Sequence, residues 1–331
     1  MQKTLYDIGE VVTLIHRDKT LILAGDEELL DLLPKGNWIG GSACYFSQEQ
    51  GVVYTKDELF VWDMTEIAED FKLCTYNEAT IHHIGEDGFD HGFSFVIMPV
   101  IQPILLTYAL NFHTYKDMYK NPITGFISLV PVEDIDRVPA KVYNGTFDQN
   151  YGDAAALHIK LPRTKRARLD VINFFEQDDS LGDIRVLESG FQITACTING
   201  RETNLADYIK AKQLDVRFPL TCKEGDTLVN ISIYGVDHQK KLVLLSAPVF
   251  KDKVYRFAKA VDYSRYAQKY IAHIPQDTST IACSCVCLWH YLHGNLEGKS
   301  LKLPGIFTGG ELAWQLYNQT AVNLILEDVS F

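Results

Sequence analysis

The stretch from Gly305 to Leu326 restricts this chain more than any other. Gly305, Gly309 and Gly310 crowd around Thr308 and Glu311, and Asn318-Gln319-Thr320 then opens the mostly apolar run Ala321 to Leu326. Glycines clustered in this way mark backbone that takes positive φ or lets another group approach closely. Glu311 is the only charge between Lys302 and Glu327. An acid isolated in so apolar a region is paired, bound to a ligand, or held at the surface of a tight loop. The ligand reading makes Thr308, Gly309, Gly310, Glu311 and Asn318 a candidate contact set. The plainer reading is a turn with a solvated carboxylate.

A second glycine-centred element lies near the other end. Asn37 to Phe46 predicts a strand that breaks at Gly40-Gly41 and carries Ser42 and Cys44 beyond the break. Glycines there would permit a sharp turn and present backbone N–H groups to an anion. Cys44 stands where a nucleophile can sit at a strand end, but no base or orienting acid for it is identifiable. Together the two elements resemble the FIST family, intracellular sensory modules found in signal-transduction proteins. Thr308-Gly309-Gly310-Glu311-Leu312, Asn318-Gln319-Thr320, the Gly40-Gly41-Ser42 turn and the Cys-containing strand Ile281 to Cys285 carry the likeness. The family's Cys-x-x-Arg after that strand is absent here.

The resemblance implies a FIST N-like half over 1–150 and a FIST C-like half over 151–331. It implies a pocket lined by Gly40, Gly41, Ser42, Cys44, Thr308, Gly309, Gly310, Glu311 and Asn318. Thr308 and the backbone around it would donate hydrogen bonds, and Glu311 would accept from an amine or guanidinium. The ligand would be a small molecule, amino acids among the candidates, and the protein sensory rather than catalytic. These 331 residues show no kinase, cyclase or helical output segment. A separate signalling protein or a homo-oligomer is therefore expected to carry the output.

Length allows a well-buried core and two domains or fused halves. The formal net charge of −12 disfavours nucleic acid and anionic membranes as partners. Lys160, Arg163, Lys165, Arg166 and Arg168 are a local exception, read as a solvated hinge loop. Gly92 to Phe112 runs uncharged for 21 residues, long enough to span a bilayer. Pro99 and Pro103 instead predict a strand followed by a helix with Pro103 in its first turn. No signal peptide is recognisable, so the cytoplasm is expected and the seven cysteines are expected to be thiols.

Strands are predicted at Thr20 to Ala24, Thr124 to Val130, Ala155 to Lys160, Arg168 to Phe175, Gly190 to Ile198 and Thr280 to Cys285. A hairpin is predicted from Val52–Tyr54 to Leu59–Trp62. Helices are predicted after Asp26 and Asn204, both capping residues, and from Tyr263 through Ile274. Strands outnumber helices, so the expected class is α+β, two halves each with a mixed or largely antiparallel sheet packed by helices. No Gly-x-Gly-x-x-Gly or Walker loop occurs.

Two clusters hold metal-type ligands. Cys283, Cys285, Cys287, His290 and His293 are dense in soft donors, and His290 or His293 could serve as an axial haem ligand if the chain followed the haem-binding gas sensors of the resembled family. Buried structural cysteines are the plainer reading, with no metal and no cofactor. His82, His83, Glu86, Asp87, Asp90 and His91 could hold a divalent ion, or form a solvated loop. A hydrolase or transferase using Cys44 or Ser42 is the rival enzyme class.

Overall fold

The computed structural model describes residues 3–48, 51–131, 134, 137–146, 152–273, 280–285 and 304–329. The architecture is α+β, with strands outweighing five short α-helices among the described residues. The helices start where the sequence supplies caps. Asp7 closes a capping box with Glu10, Asp26 accepts from the Glu28 amide, and Asn204 accepts from the Asp207 amide. The helix after Asp26 is only Glu27–Leu30, shorter than expected.

Two six-stranded mixed sheets lie at the centre and share one pairing plan. In the first, Gly92–Pro99 runs parallel to Ile123–Ser128, Ala154–Lys160 lies antiparallel to Gly92–Pro99, and Asp70–Tyr76 is the far edge. In the second, Thr280–Cys285 runs parallel to Gly305–Thr308, Ala321–Asp328 lies antiparallel to Thr280–Cys285, and Lys165–Ile172 is the edge. Each sheet is then completed by a hairpin from the other part of the chain. Tyr45–Gln48 and Gly51–Tyr54 join Gly305–Thr308, while Glu311–Ala313 and Gln315–Tyr317 join Ile123–Ser128. The two hairpins therefore interlock the halves. The passage from the first central sheet to the second falls at 161–164. A five-stranded sheet drawn wholly from before residue 150, and a six-stranded and a three-stranded sheet from 184–257, flank the centre in sequence.

Gly92–Pro99 is buried along its whole length, and the helix Pro103–Asn111 that follows has its proline in the first turn. The uncharged stretch is thus core. Among the described residues no helix is long and apolar enough to cross a membrane.

Three local expectations need correction. The chain does not break at Gly40-Gly41: Trp38–Ser42 is one continuous strand, and the interruption comes at Ala43 and Cys44 before Tyr45–Gln48. The glycine serves volume rather than turning. A methyl on Gly41 would sit 2.6 Å from Ile97 Cγ2 and 2.9 Å from Phe126 Cε2, so only glycine lets the five-stranded sheet close onto the central one. Val52–Tyr54 does not pair with Leu59–Trp62: Gly51–Tyr54 pairs with Tyr45–Gln48, and Leu59–Asp63 pairs with Leu21–Gly25. Lys165, Arg166 and Arg168 are not a hinge loop. They belong to the edge strand Lys165–Ile172 and face Asp328 and Glu327 across the ladder, a charged edge that resists pairing with other chains.

Candidate functional site

The strand Ile123–Ser128 brings the two glycine-centred elements together. On one side Ser42 O accepts from the Leu129 amide at 2.8 Å, and Gly41 packs on Phe126. On the other, Gly309 N donates to Ile127 O and Ile127 N to Gly310 O, both at 2.9 Å. Glu311 lies opposite Phe126 in the ladder and opposite Tyr317 within its own hairpin. Trp314 turns the hairpin with φ +59°, its indole donating to Asn121 O at 3.0 Å, and the Tyr108 hydroxyl donates to its carbonyl.

The polar side chains of the 308–320 region are held by backbone carbonyls and by one another. Thr308 Oγ1 donates to Gly310 O at 2.8 Å. Asn318 Nδ2 donates to Gly309 O at 3.2 Å and to Tyr317 O at 3.1 Å, while its Oδ1 accepts from the Ser232 amide at 3.3 Å. A side chain on Gly310 would meet Asn318 Nδ2 at 2.7 Å, which is why glycine stands there. Thr320 Oγ1 donates to Glu311 Oε2 at 2.9 Å. Thr308, Glu311, Asn318, Gln319 and Thr320 are all 0% exposed. Glu311 is therefore no surface acid.

Three buried oxygens of this region have no hydrogen-bond partner among the described residues: Glu311 Oε1, Gln319 Oε1 and Ser232 Oγ. Leaving such a group unpaired costs about 1–3 kcal/mol, and native proteins leave few of them. Burial, then the nearby Cys285, pushes the Glu311 carboxyl well above the usual range, against the lowering effect of the Thr320 hydrogen bond. Its influence reaches Tyr266, Tyr270 and Cys283, each raised first by burial and further by Glu311. Tyr270 is pushed up to about 12 and hydrogen-bonds Ser284 Oγ at 2.8 Å. A fully buried carboxyl bonded at Oε2 by the Thr320 hydroxyl can receive one strong donor at Oε1.

Sequence reasoning missed Tyr266, Tyr270, Ser284, Gln319, Thr320 and Ser232. Tyr266 and Tyr270 were visible only as an aromatic stripe on the helix Tyr263–His273, whose hydroxyls gave the available signal. Cys44 is 2% exposed and packs in the core, away from solvent. Cys287, His290 and His293 lie outside the described residues. The six described cysteines are all thiols, and among the described residues no three His, Cys, Asp or Glu side chains gather as a metal-binding group. The 82–91 loop disperses its ligands instead. Glu86 takes Lys116 and His83, Asp90 takes Lys120 at 2.5 Å, and His91 Nε2 contacts Lys165 O at 2.8 Å.

Asp87 of that loop closes a buried chain that the sequence did not announce. Tyr76 OH donates to Asp87 Oδ2 at 2.8 Å and lies 2.9 Å from His158 Nε2, while His158 Nδ1 lies 2.7 Å from Ser94 Oγ. The tyrosine has one hydrogen, and it goes to Asp87. His158 Nε2–H must then donate to Tyr76, leaving Nδ1 to accept from Ser94. Burial lowers the His158 pKa to about 4, so the ring is neutral above that value. The space beside Ser94, about 10 Å³, suits at most one water. The chain therefore reads as a structural brace.

A depressed folded pKa means that His158 contributes stability in full above its ordinary value of about 6.5. That stability is lost as pH falls from there through about 4. The loss should be on the order of 3 kcal/mol. Urea midpoints measured from pH 7.5 to 4 should fall more steeply in the wild type than in His158→Gln. Parallel curves would refute the assignment.

A separate large cleft, about 1010 Å³, is lined by residues of 109–119, 222–231, 247–255 and 313–317. None of the nine sequence-predicted site residues lines it, although the tip of the Glu311 hairpin does.

A comparison with curated proteins finds no match. Residues 6–327, nearly the whole chain, match a family of unknown function (DUF6976), and the protein belongs to that family.

Proposed function

We propose that this protein binds a small ligand without transforming it, through a cationic group received at Glu311, and that it acts as a sensory component in signal transduction, as the FIST resemblance implies. The observation that carries the reading is Glu311 itself. It is fully buried, satisfied at Oε2 by Thr320 and, among the described residues, unsatisfied at Oε1. An ammonium or guanidinium would supply the missing donor and draw the carboxyl to its ionised form, a strong charge-assisted bond. Cys44 is buried out of reach of solvent, which favours binding over covalent catalysis. Output would pass to a separate partner protein or through a homo-oligomer.

Thermal unfolding with L-arginine, L-lysine, agmatine and cadaverine, and native mass spectrometry of the purified chain, test the reading. A ligand at 100 times its Kd should stabilise the wild type by about 2.7 kcal/mol, and Glu311→Gln should abolish the shift. If nothing in the panel stabilises the wild type more than the variant, and no mass co-purifies, the proposal fails.

A further inference from the structure

The lining of the 1010 Å³ cleft combines two kinds of side chain. It carries the acids Glu224, Asp226 and Asp252. It also carries the aromatic rings of Phe112, Tyr119 and Trp314, the last two in contact with centroids 6.4 Å apart. Tyr119 is 60% exposed, a large apolar ring turned toward solvent inside a concavity. Pockets of this size and mixed lining are the usual seats of small organic ligands.

The charges of the lining do not cancel. Lys253 pairs with Glu224 at 2.8 Å. Asp226 and Asp252 form no ion pair among the described residues, and His113 is the one other basic side chain of the lining. The floor adds hydroxyls. Tyr255 accepts from the Phe250 amide at 2.7 Å, and Tyr317 accepts from Gln315 Nε2 at 2.8 Å. Both tyrosines are buried, and each feels the charge of Glu224. The lining thus carries a net negative charge, which favours a cationic ligand.

We infer that this cleft is a second binding site, distinct from Glu311, for an organic cation with an apolar or aromatic body. The cationic head meets Asp226 and Asp252, and the body packs against the Tyr119–Trp314 pair, where an aromatic face also attracts positive charge. Phosphorylated or carboxylate ligands are excluded by the same potential.

Three probes with one body and three charges test this: 4-phenylbutylamine, 4-phenylbutanol and 4-phenylbutyrate, titrated by calorimetry into the full chain. The amine should bind at least about tenfold more tightly than the alcohol, a difference of about 1.4 kcal/mol, and the anion should not bind. The Asp226→Asn/Asp252→Asn double variant changes exposed side chains and should keep the wild-type unfolding midpoint. It should weaken amine binding about fivefold, as expected for partly screened charges, and leave the alcohol unaffected. Quenching of Trp314 should accompany binding and vanish in Trp314→Phe. Glu311→Gln should bind the amine like the wild type in this cleft, which separates a failure here from a failure of the Glu311 reading. Alcohol or anion binding as tight as the amine would overturn the inference. So would amine affinity unchanged in the double variant, or no amine binding up to roughly 10 mM, the limit of a useful small-ligand site.

Discussion

Replacing Glu311 by Gln should leave a folded protein that is at least as stable as the wild type at pH 8 and unable to hold its ligand. The two halves of that result follow from one geometry. Burial raises the Glu311 carboxyl pKa above the ordinary 4.5. A raised folded value means that the stabilising contribution is complete below 4.5 and is lost as pH rises through the folded pKa. Within that window the wild type should lose about 1.4 kcal/mol per pH unit through this group. Glutamine keeps an acceptor for the Thr320 hydroxyl and carries no charge, so it escapes that loss. Binding moves the other way. Removing one member of a buried charge pair costs about 2–5 kcal/mol, on the order of a hundredfold or more in affinity. A variant that gains stability while losing ligand marks a residue kept for function. A variant that loses stability at pH 8 would instead make Glu311 a structural carboxyl.

The largest purely structural effect should come from Gly125→Ala. Gly125 sits in Ile123–Ser128, between Val96 and Leu312, at the centre of the first mixed sheet. Its φ is +147°, and a methyl there would be driven into the Val96 carbonyl oxygen. The strands on both sides fix the backbone, so the collision cannot relax cheaply. Loss of more than about 4 kcal/mol is expected, enough to unfold the chain or displace the Glu311 hairpin. Gly190→Ala is the matched control: φ is +153°, yet nothing lies within 4 Å of the added methyl. It should cost only the conformational strain, about 1–2 kcal/mol. Chemical denaturation of both variants decides the matter. Equal losses would show that crowding at Val96 is not what selects glycine.

What was legible in the sequence divides along physical lines. The helix caps at Asp26 and Asn204, and the strand-then-helix reading of Gly92 to Phe112, depend on neighbours a few residues apart and were open to inspection. At Thr308, Glu311 and Asn318 the sequence posed the question without deciding it: polar residues in an apolar run are either buried with partners or solvated in a turn, and the structure buries all three. Gly40-Gly41 misled because glycine signals both freedom and lack of volume. Here the second applies, and its cause is Ile97 and Phe126, distant in sequence. Lys165, Arg166 and Arg168 misled because an edge strand can carry the charge expected of a loop. The exchanged hairpins were illegible, since Tyr45 pairs with Phe307 and Glu311 with Phe126. The Ser94–His158–Tyr76–Asp87 chain was illegible for the same reason: its links join residues 64, 82 and 11 apart.

The charge state of Glu311 tests the central claim most directly. Carbon-13 NMR of glutamate carboxyls, with Glu311 identified as the signal missing from Glu311→Gln, reads it in the folded protein. Without added ligand the Glu311 carboxyl should stay protonated to higher pH than the exposed glutamates, and it should be ionised after saturation with whichever of arginine, lysine, agmatine or cadaverine stabilises the wild type. A signal that titrates with the exposed glutamates, or stays protonated with that ligand bound, would contradict it.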